Sequence, residues 1–245
     1  MSAPVAIALD APDLATAIAW ARLADSQIST LKVGLETYLR DGLEGVRQIR
    51  EAAPNAALFL DLKLHDIPNT VAGAARSIGK LNPEILTVHA LGGASMISAA
   101  VNALPETKIA AVTVLTSLDQ SALTQLNLGI LADLTVRLAE LAVAAGARAL
   151  VCSPHEVKAL RSVVGPDITL ITPGVRLVDG QVGDQRRVAT PIKALEDGAD
   201  LLVIGRPLTD SWEKDGTEGV ARAIQNVLLH LRSYNDGAAS FFPTS

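Results

Sequence analysis

The chain has 245 residues, 49% hydrophobic and 19% charged, with a formal net charge of −5. That composition supplies a full buried core and lies far from the disordered regime. The acidic balance argues against a nucleic-acid partner, which calls for a basic face, and no apolar run reaches the length of a membrane span. The single cysteine, Cys152, leaves no internal disulfide. Residues 1–4 lack the charged region and cleavage site of a secretory signal. A cytoplasmic protein without membrane contact is expected.

Short apolar runs alternate with helical patterns along the whole chain. Strands are expected at residues 5–10, 30–34, 57–63 and 85–90, then at 110–116, 149–153, 170–175 and 201–205. They are rich in Val, Ile and Leu, the composition of parallel strands buried on both faces. Helices are expected over 13–25, with Asp13 as N-cap, over 36–53 before Pro54, over 132–146 up to Gly146, and over 216–233. The segment from about residue 234 reads as a loose tail. Eight strand–helix units in 245 residues match a closed (β/α)₈ TIM barrel, forming a single domain over 1–245. A doubly wound open sheet fits less well. It would show a glycine-rich turn after its first strand, where this chain has Leu9-Asp10-Ala11-Pro12.

In such a barrel the chemistry lies at the C-terminal strand ends. Those ends carry Asp10, Lys32, Asp61 with Lys63, His89, Thr116 with Ser117, and Gly205 with Arg206. Asp61 and Lys63 are two apart on one strand and so share a face. Leu60, Leu62 and Leu64 take the other face, toward the helices. A structural salt bridge explains the Asp61–Lys63 pair taken alone, because buried charges must be paired. Lys32 on the neighbouring strand and Asp66 three residues beyond Lys63 extend it into a Lys-Asp-Lys-Asp array. Such arrays fix protonation states and position a proton donor. Asp66 equally suits the opening of a helix at Ile67-Pro68.

The loops after the last two strands supply Arg176, Gln185, Gly205 and Arg206, residue types suited to an oxyanion such as phosphate. Residues 176–190 exceed an ordinary βα loop. With Gly180 and Gly183 they suit either a closing loop or a solvated one. His89 reads as a packed, hydrogen-bonded histidine, Cys152 as a small buried strand residue, and Trp20 and Trp212 as helix-face packing. His65 has no assigned role.

Residues 59–70, Phe-Leu-Asp-Leu-Lys-Leu-His-Asp-Ile-Pro-Asn-Thr, resemble the D-x-K-x-x-D-I-x-x-T signature of the orotidine 5′-monophosphate decarboxylase family. Ala8-Leu9-Asp10, Leu31-Lys32-Val33-Gly34, Val114-Leu115-Thr116-Ser117, Thr172-Pro173-Gly174-Val175-Arg176, Gly183-Asp184-Gln185 and Val203-Ile204-Gly205-Arg206 extend the resemblance over the barrel in order. The resemblance implies a metal-free, cofactor-free carboxy-lyase that turns orotidine 5′-monophosphate into uridine 5′-monophosphate. It implies that Lys63 protonates C6, that Asp61 lies beside the departing carboxylate, and that Lys32 bonds the ribose and anchors Asp61. It further implies that Asp10 binds ribose hydroxyls and Thr116 the pyrimidine, and that Gln185, Arg206 and the Gly205 N–H hold phosphate, with Arg176 near the closing loop. Asp66, Ile67 and Thr70 would reach into the site of the second subunit of a homodimer.

Two rivals remain open at this stage. The Mg²⁺-dependent branch, 3-keto-gulonate 6-phosphate decarboxylase and hexulose phosphate synthase, shares the barrel and the D-x-K-x-x-D motif. It uses a carboxylate on the second strand, where this chain has Lys32, a cation that repels Mg²⁺. A non-catalytic barrel that binds a phosphorylated ligand would have no use for Lys63 beside two carboxylates.

Overall fold

The computed structural model describes residues 2–175 and 190–239, with residues 233–239 described by backbone only. Eight parallel strands close in sequential order: β1 (Ala3–Ala8), β2 (Ile28–Gly34), β3 (Ala57–Leu64), β4 (Ile85–His89), β5 (Lys108–Val112), β6 (Ala149–Val151), β7 (Thr169–Thr172) and β8 (Leu201–Ile204). β1 pairs with both β2 and β8, which completes the barrel. The expected (β/α)₈ architecture is therefore present, with strand limits moved by a few residues. Parallel strands need crossover connections, and helices supply most of them. They are α1 (Leu14–Ala24), α2 (Leu35–Ala52), α3 (Pro68–Ile78), α4 (Ala94–Ala103), α5 (Gln120–Gln125), α6 (Leu131–Ala144), α7 (Val157–Val164), α8 (Pro191–Glu196), α9 (Arg206–Thr209) and α10 (Trp212–Ala239). No helix among the described residues is long and apolar enough to cross a membrane.

Local chemistry sets the helix starts. Asp13 caps α1 by accepting the Thr16 N–H at 2.7 Å, and Asp119 caps α5 through the Ala122 N–H at 3.0 Å. Each such cap is worth about 1 kcal/mol. Pro68 and Pro191 open α3 and α8, where their missing N–H costs nothing. α10 begins earlier than residue 216 and kinks there, at Gly216 with φ +55°. Its backbone continues to Ala239, past the expected end at 233.

Strand alternation builds two cores. Leu31, Val33, Leu58, Leu60, Leu86 and Val88 belong to the layer between sheet and helices. Phe59, Ala6, Ala110, Ala149, Ile171 and Leu201 form a smaller cluster inside the barrel. Three of those six interior residues are alanines, whose small side chains leave room inside the barrel. Trp20 and Trp212 meet edge to face at 5.8 Å between α1 and α10, which bears out packing as their role.

Candidate active site

The open end of the barrel holds a cavity of about 470 Å³, within the range of small-molecule sites. Phe59, Val112, Val151 and Val203 give it an apolar wall. Asp10, Lys32, Asp61, Lys63, Thr116, Gly205 and Arg206, seven residues singled out from the sequence, also line it. Cys152 is 1% exposed and borders the same space. Strand ends are shorter than expected here. Asp10 lies two residues past β1 and Thr116 four past β5, so both reach the cavity from loops.

The charged groups are arranged around Asp61. Lys63 donates its Nζ to Asp61 Oδ1 at 2.8 Å. Lys32 Nζ stands 3.7 Å from Asp61 Oδ2 and 3.5 Å from Asp10 Oδ1. The two longer distances are ion pairs rather than strong hydrogen bonds. The Lys32 side chain is only 9% exposed, and a cation so placed costs several kcal/mol, roughly, unless anions face it. Asp10 and Asp61 are those anions. Gly34 makes room for them: a Cβ there would lie 3.0 Å from both Asp10 Oδ1 and Lys32 Nζ.

Burial by itself would raise the Asp61 carboxyl. Lys32 and Lys63, with the hydrogen bonds from Lys63 and Thr87, outweigh it and hold the pKa below the usual carboxylate value. Asp61 is thus an anion at neutral pH despite its burial.

The face-sharing of Asp61 and Lys63 has a different origin from plain alternation. β3 and β4 pair Leu60 with Leu86 and Leu64 with Val88, so three residues of β3, Asp61 to Lys63, lie opposite the single residue Thr87 of β4. That is a bulge, the device that re-aims side chains at strand ends. Within it Lys63 has φ +49°, a left-handed conformation that costs a non-glycine residue about 1–3 kcal/mol. Its N–H is held by Thr87 Oγ1 at 2.8 Å, and Thr87 in turn donates to Asp61 Oδ1 at 3.1 Å.

Asp66, Ile67 and Thr70 do not join this cavity. All three are exposed, and Asp66 and Ile67 line a separate hollow with His65, Pro68, Leu91 and Gly92. Asp66 Oδ1 accepts the Ile67 N–H at 2.6 Å. It makes no cap to α3, whose N-cap is Ile67 without a side-chain bond. Arg176 and Gln185, with the rest of the expected closing loop, lie outside the described residues.

His89 differs from the expectation of a hydrogen-bonded histidine. It stacks on His65 with ring centroids 5.4 Å apart, and its buried Nδ1 has no hydrogen-bond partner among the described residues. Burial first, then the charges of His65 and Lys63, lowers its pKa. The neutral ring therefore sits against the cationic side of the site.

Sequence reasoning missed Gly34 and Thr87. Gly34 stood inside a quoted motif without a role. Thr87 gave no signal, since a threonine in an apolar strand reads as strand filler.

Comparison with known proteins gives a consistent family. The model of the family described as "Orotidine 5'-phosphate decarboxylase / HUMPS family" fits residues 3–219. A protein of Thermobifida fusca (strain YX) named orotidine 5′-phosphate decarboxylase is 63% identical over 210 residues, covering 85% of this chain and 90% of that one. One of the same name from Frankia casuarinae is 53% identical over 224 residues, covering 84% and 82%. The crystal structure of orotidine 5′-phosphate decarboxylase from Lactobacillus acidophilus superposes with a TM-score of 0.75 at 33% identity, covering 91% of this chain and 97% of that chain.

Proposed function

The chain belongs to the orotidine 5′-phosphate decarboxylase / HUMPS family, and from that premise we propose that it decarboxylates orotidine 5′-monophosphate to uridine 5′-monophosphate, with Lys63 as the proton donor. The observation that carries this reading is the Lys63–Asp61 contact of 2.8 Å inside the cavity, with Lys32 behind it.

The chemistry asks for such an arrangement. When the C6–carboxylate bond breaks, CO₂ leaves and the electron pair stays on C6. No adjacent carbonyl delocalises it, so fixed charges must stabilise it. The Lys63 ammonium faces that pair, then gives it a proton. A C6–H bond forms and the lysine is left as an amine, recharged by solvent. Asp61, held ionised, stands beside the substrate carboxylate. The repulsion between the two anions disappears as CO₂ departs.

The remaining groups bind and orient. Asp10 and Lys32 take the ribose hydroxyls and Thr116 the pyrimidine ring. Arg206 and the Gly205 N–H grip the phosphate, joined by Gln185 and Arg176. Binding energy from the phosphate, remote from C6, holds the ring in place for reaction.

The Mg²⁺-dependent members of the superfamily need carboxylates where this chain has Lys32. Its Nζ occupies the ground between Asp10 and Asp61, the two carboxylates that a divalent ion would seek. The working unit is a cytoplasmic homodimer. Ile67 is 66% exposed and Leu91 43%, apolar area beside Asp66 that a partner would cover. Asp66, Ile67 and Thr70 then complete the neighbour's site. Loss of orotidine monophosphate absorbance with purified protein tests the activity. Turnover is expected, and an inert, folded protein would overturn the reading.

A further inference from the structure

We infer that Thr87 is a positioning residue for the reaction, the group that holds both the Asp61 carboxylate and the backbone of Lys63 in register. The inference rests on the decarboxylase reading and deepens it.

Thr87 lies on β4, is 0% exposed, and does not line the cavity, so it works only through its neighbours. A hydroxyl has one proton to donate and lone pairs to accept with. Thr87 uses both. It accepts the Lys63 N–H at 2.8 Å and donates to Asp61 Oδ1 at 3.1 Å. The same Asp61 oxygen receives Lys63 Nζ at 2.8 Å. The result is a closed ring: Lys63 N–H to Thr87, Thr87 O–H to Asp61, and Asp61 to the ammonium of Lys63.

The ring has a physical purpose at this spot. Between Leu60 and Leu64 three residues of β3 lie opposite the single residue Thr87 of β4, so the ladder bonds that would fix Lys63 are interrupted. Lys63 is also left-handed, at φ +49°, a conformation that persists only where surroundings enforce it. The Thr87 hydroxyl restores one bond to that backbone. Because it ties the bond to Asp61, a shift of the bulge would move the carboxylate and the ammonium together. Thr87 is also among the groups that lower the Asp61 pKa.

Thr87→Val and Thr87→Ser separate this role from packing. Valine keeps the shape and loses the hydroxyl, whereas serine loses a methyl group and keeps both hydrogen bonds. A packing role makes serine the more harmful change. The positioning role makes valine the more harmful, with kcat about ten- to a hundredfold lower. KM for orotidine monophosphate stays within about threefold, since phosphate and ribose binding are untouched. Serine stays near wild type, and hydrogen exchange at the Lys63 amide is faster in valine than in serine. If Thr87→Val does not fold, Thr87→Ala replaces it, with the same comparison to serine. Wild-type kcat together with unaltered Lys63 amide exchange in the variant without a hydroxyl would overturn the inference. Amide exchange reads the ring whether or not the wild type turns over this substrate. A wild-type protein inert toward orotidine monophosphate would instead sink the decarboxylase reading.

Discussion

Lys63 reaches Asp61 Oδ1 at 2.8 Å from a backbone turned to φ +49°. A regular pleat could put both residues on one face, but here a bulge sets the pair. The strained conformation costs about 1–3 kcal/mol, a sum comparable with one charge-assisted hydrogen bond, about 1.5–3 kcal/mol. The contact therefore offsets the strain without any large surplus. Stability alone gives little reason to build it, while a fixed ammonium at a reacting carbon does.

The proposed phosphate contact of Arg206, which lines the cavity, can be tested by substitution. Arg206→Ala should lower kcat/KM about ten- to a hundredfold, the loss of a charge-assisted contact. Arg47 is a fair control, since it pairs with Glu44 and Glu51 on the outer face of α2. Arg47→Ala should leave the kinetics unchanged. Equal kinetics in the two variants would remove Arg206 from the site.

Turnover should survive exhaustive chelation. Lys32 fills the ground between Asp10 and Asp61, and a cation there repels a divalent ion. Activity lost in chelator and restored by Mg²⁺ would move the chain to the metal-dependent branch of its superfamily.

The lowered Asp61 pKa has a defined signature in stability. Unfolded, the carboxyl titrates near the ordinary value of about 3.9; folded, it titrates below that. Its ionised form thus adds stability that is fully present above the unfolded value. That stability is lost as pH falls through the folded one. Urea unfolding should find Asp61→Asn less stable than wild type at neutral pH, with the gap narrowing only below about pH 4. A gap that already closes near pH 6 would contradict the lowered pKa.

The shared-site proposal makes a prediction about mixtures. Asp66 is exposed and faces a hollow apart from the cavity that holds Lys63. Dimers of Lys63→Ala and of Asp66→Asn should each be nearly inactive. Subunit exchange should restore activity, up to one working site per heterodimer. Demonstrated exchange without recovered activity would place Asp66 in its own chain's site.

Much of this was legible in the sequence, for identifiable reasons. Eight buried strands leave short apolar runs spaced between helical patterns, and the barrel follows from their number and spacing. Asp61, Lys63 and Lys32 stood out because charges are rare inside such runs. The bulge between Leu60 and Leu64 was not legible, because neither glycine nor proline marks it and Lys63 is an unusual residue for positive φ. Thr87 acts through contacts between strands far apart in sequence, which periodicity does not report. The short helix α5 was also unexpected. Thr116 reaches the cavity from the loop between β5 and α5, past the point where β5 stops pairing.

In the proposed reaction Lys63, held by Asp61, delivers the proton that completes decarboxylation. The most direct test compares wild type and Lys63→Ala, both shown to be folded, for conversion of orotidine monophosphate to uridine monophosphate. Charge stabilisation and proton transfer are lost together, so kcat should fall at least about 10⁴-fold. A Lys63→Ala enzyme that turns over within tenfold of wild type, roughly one pKa unit's worth of free energy, would contradict the account.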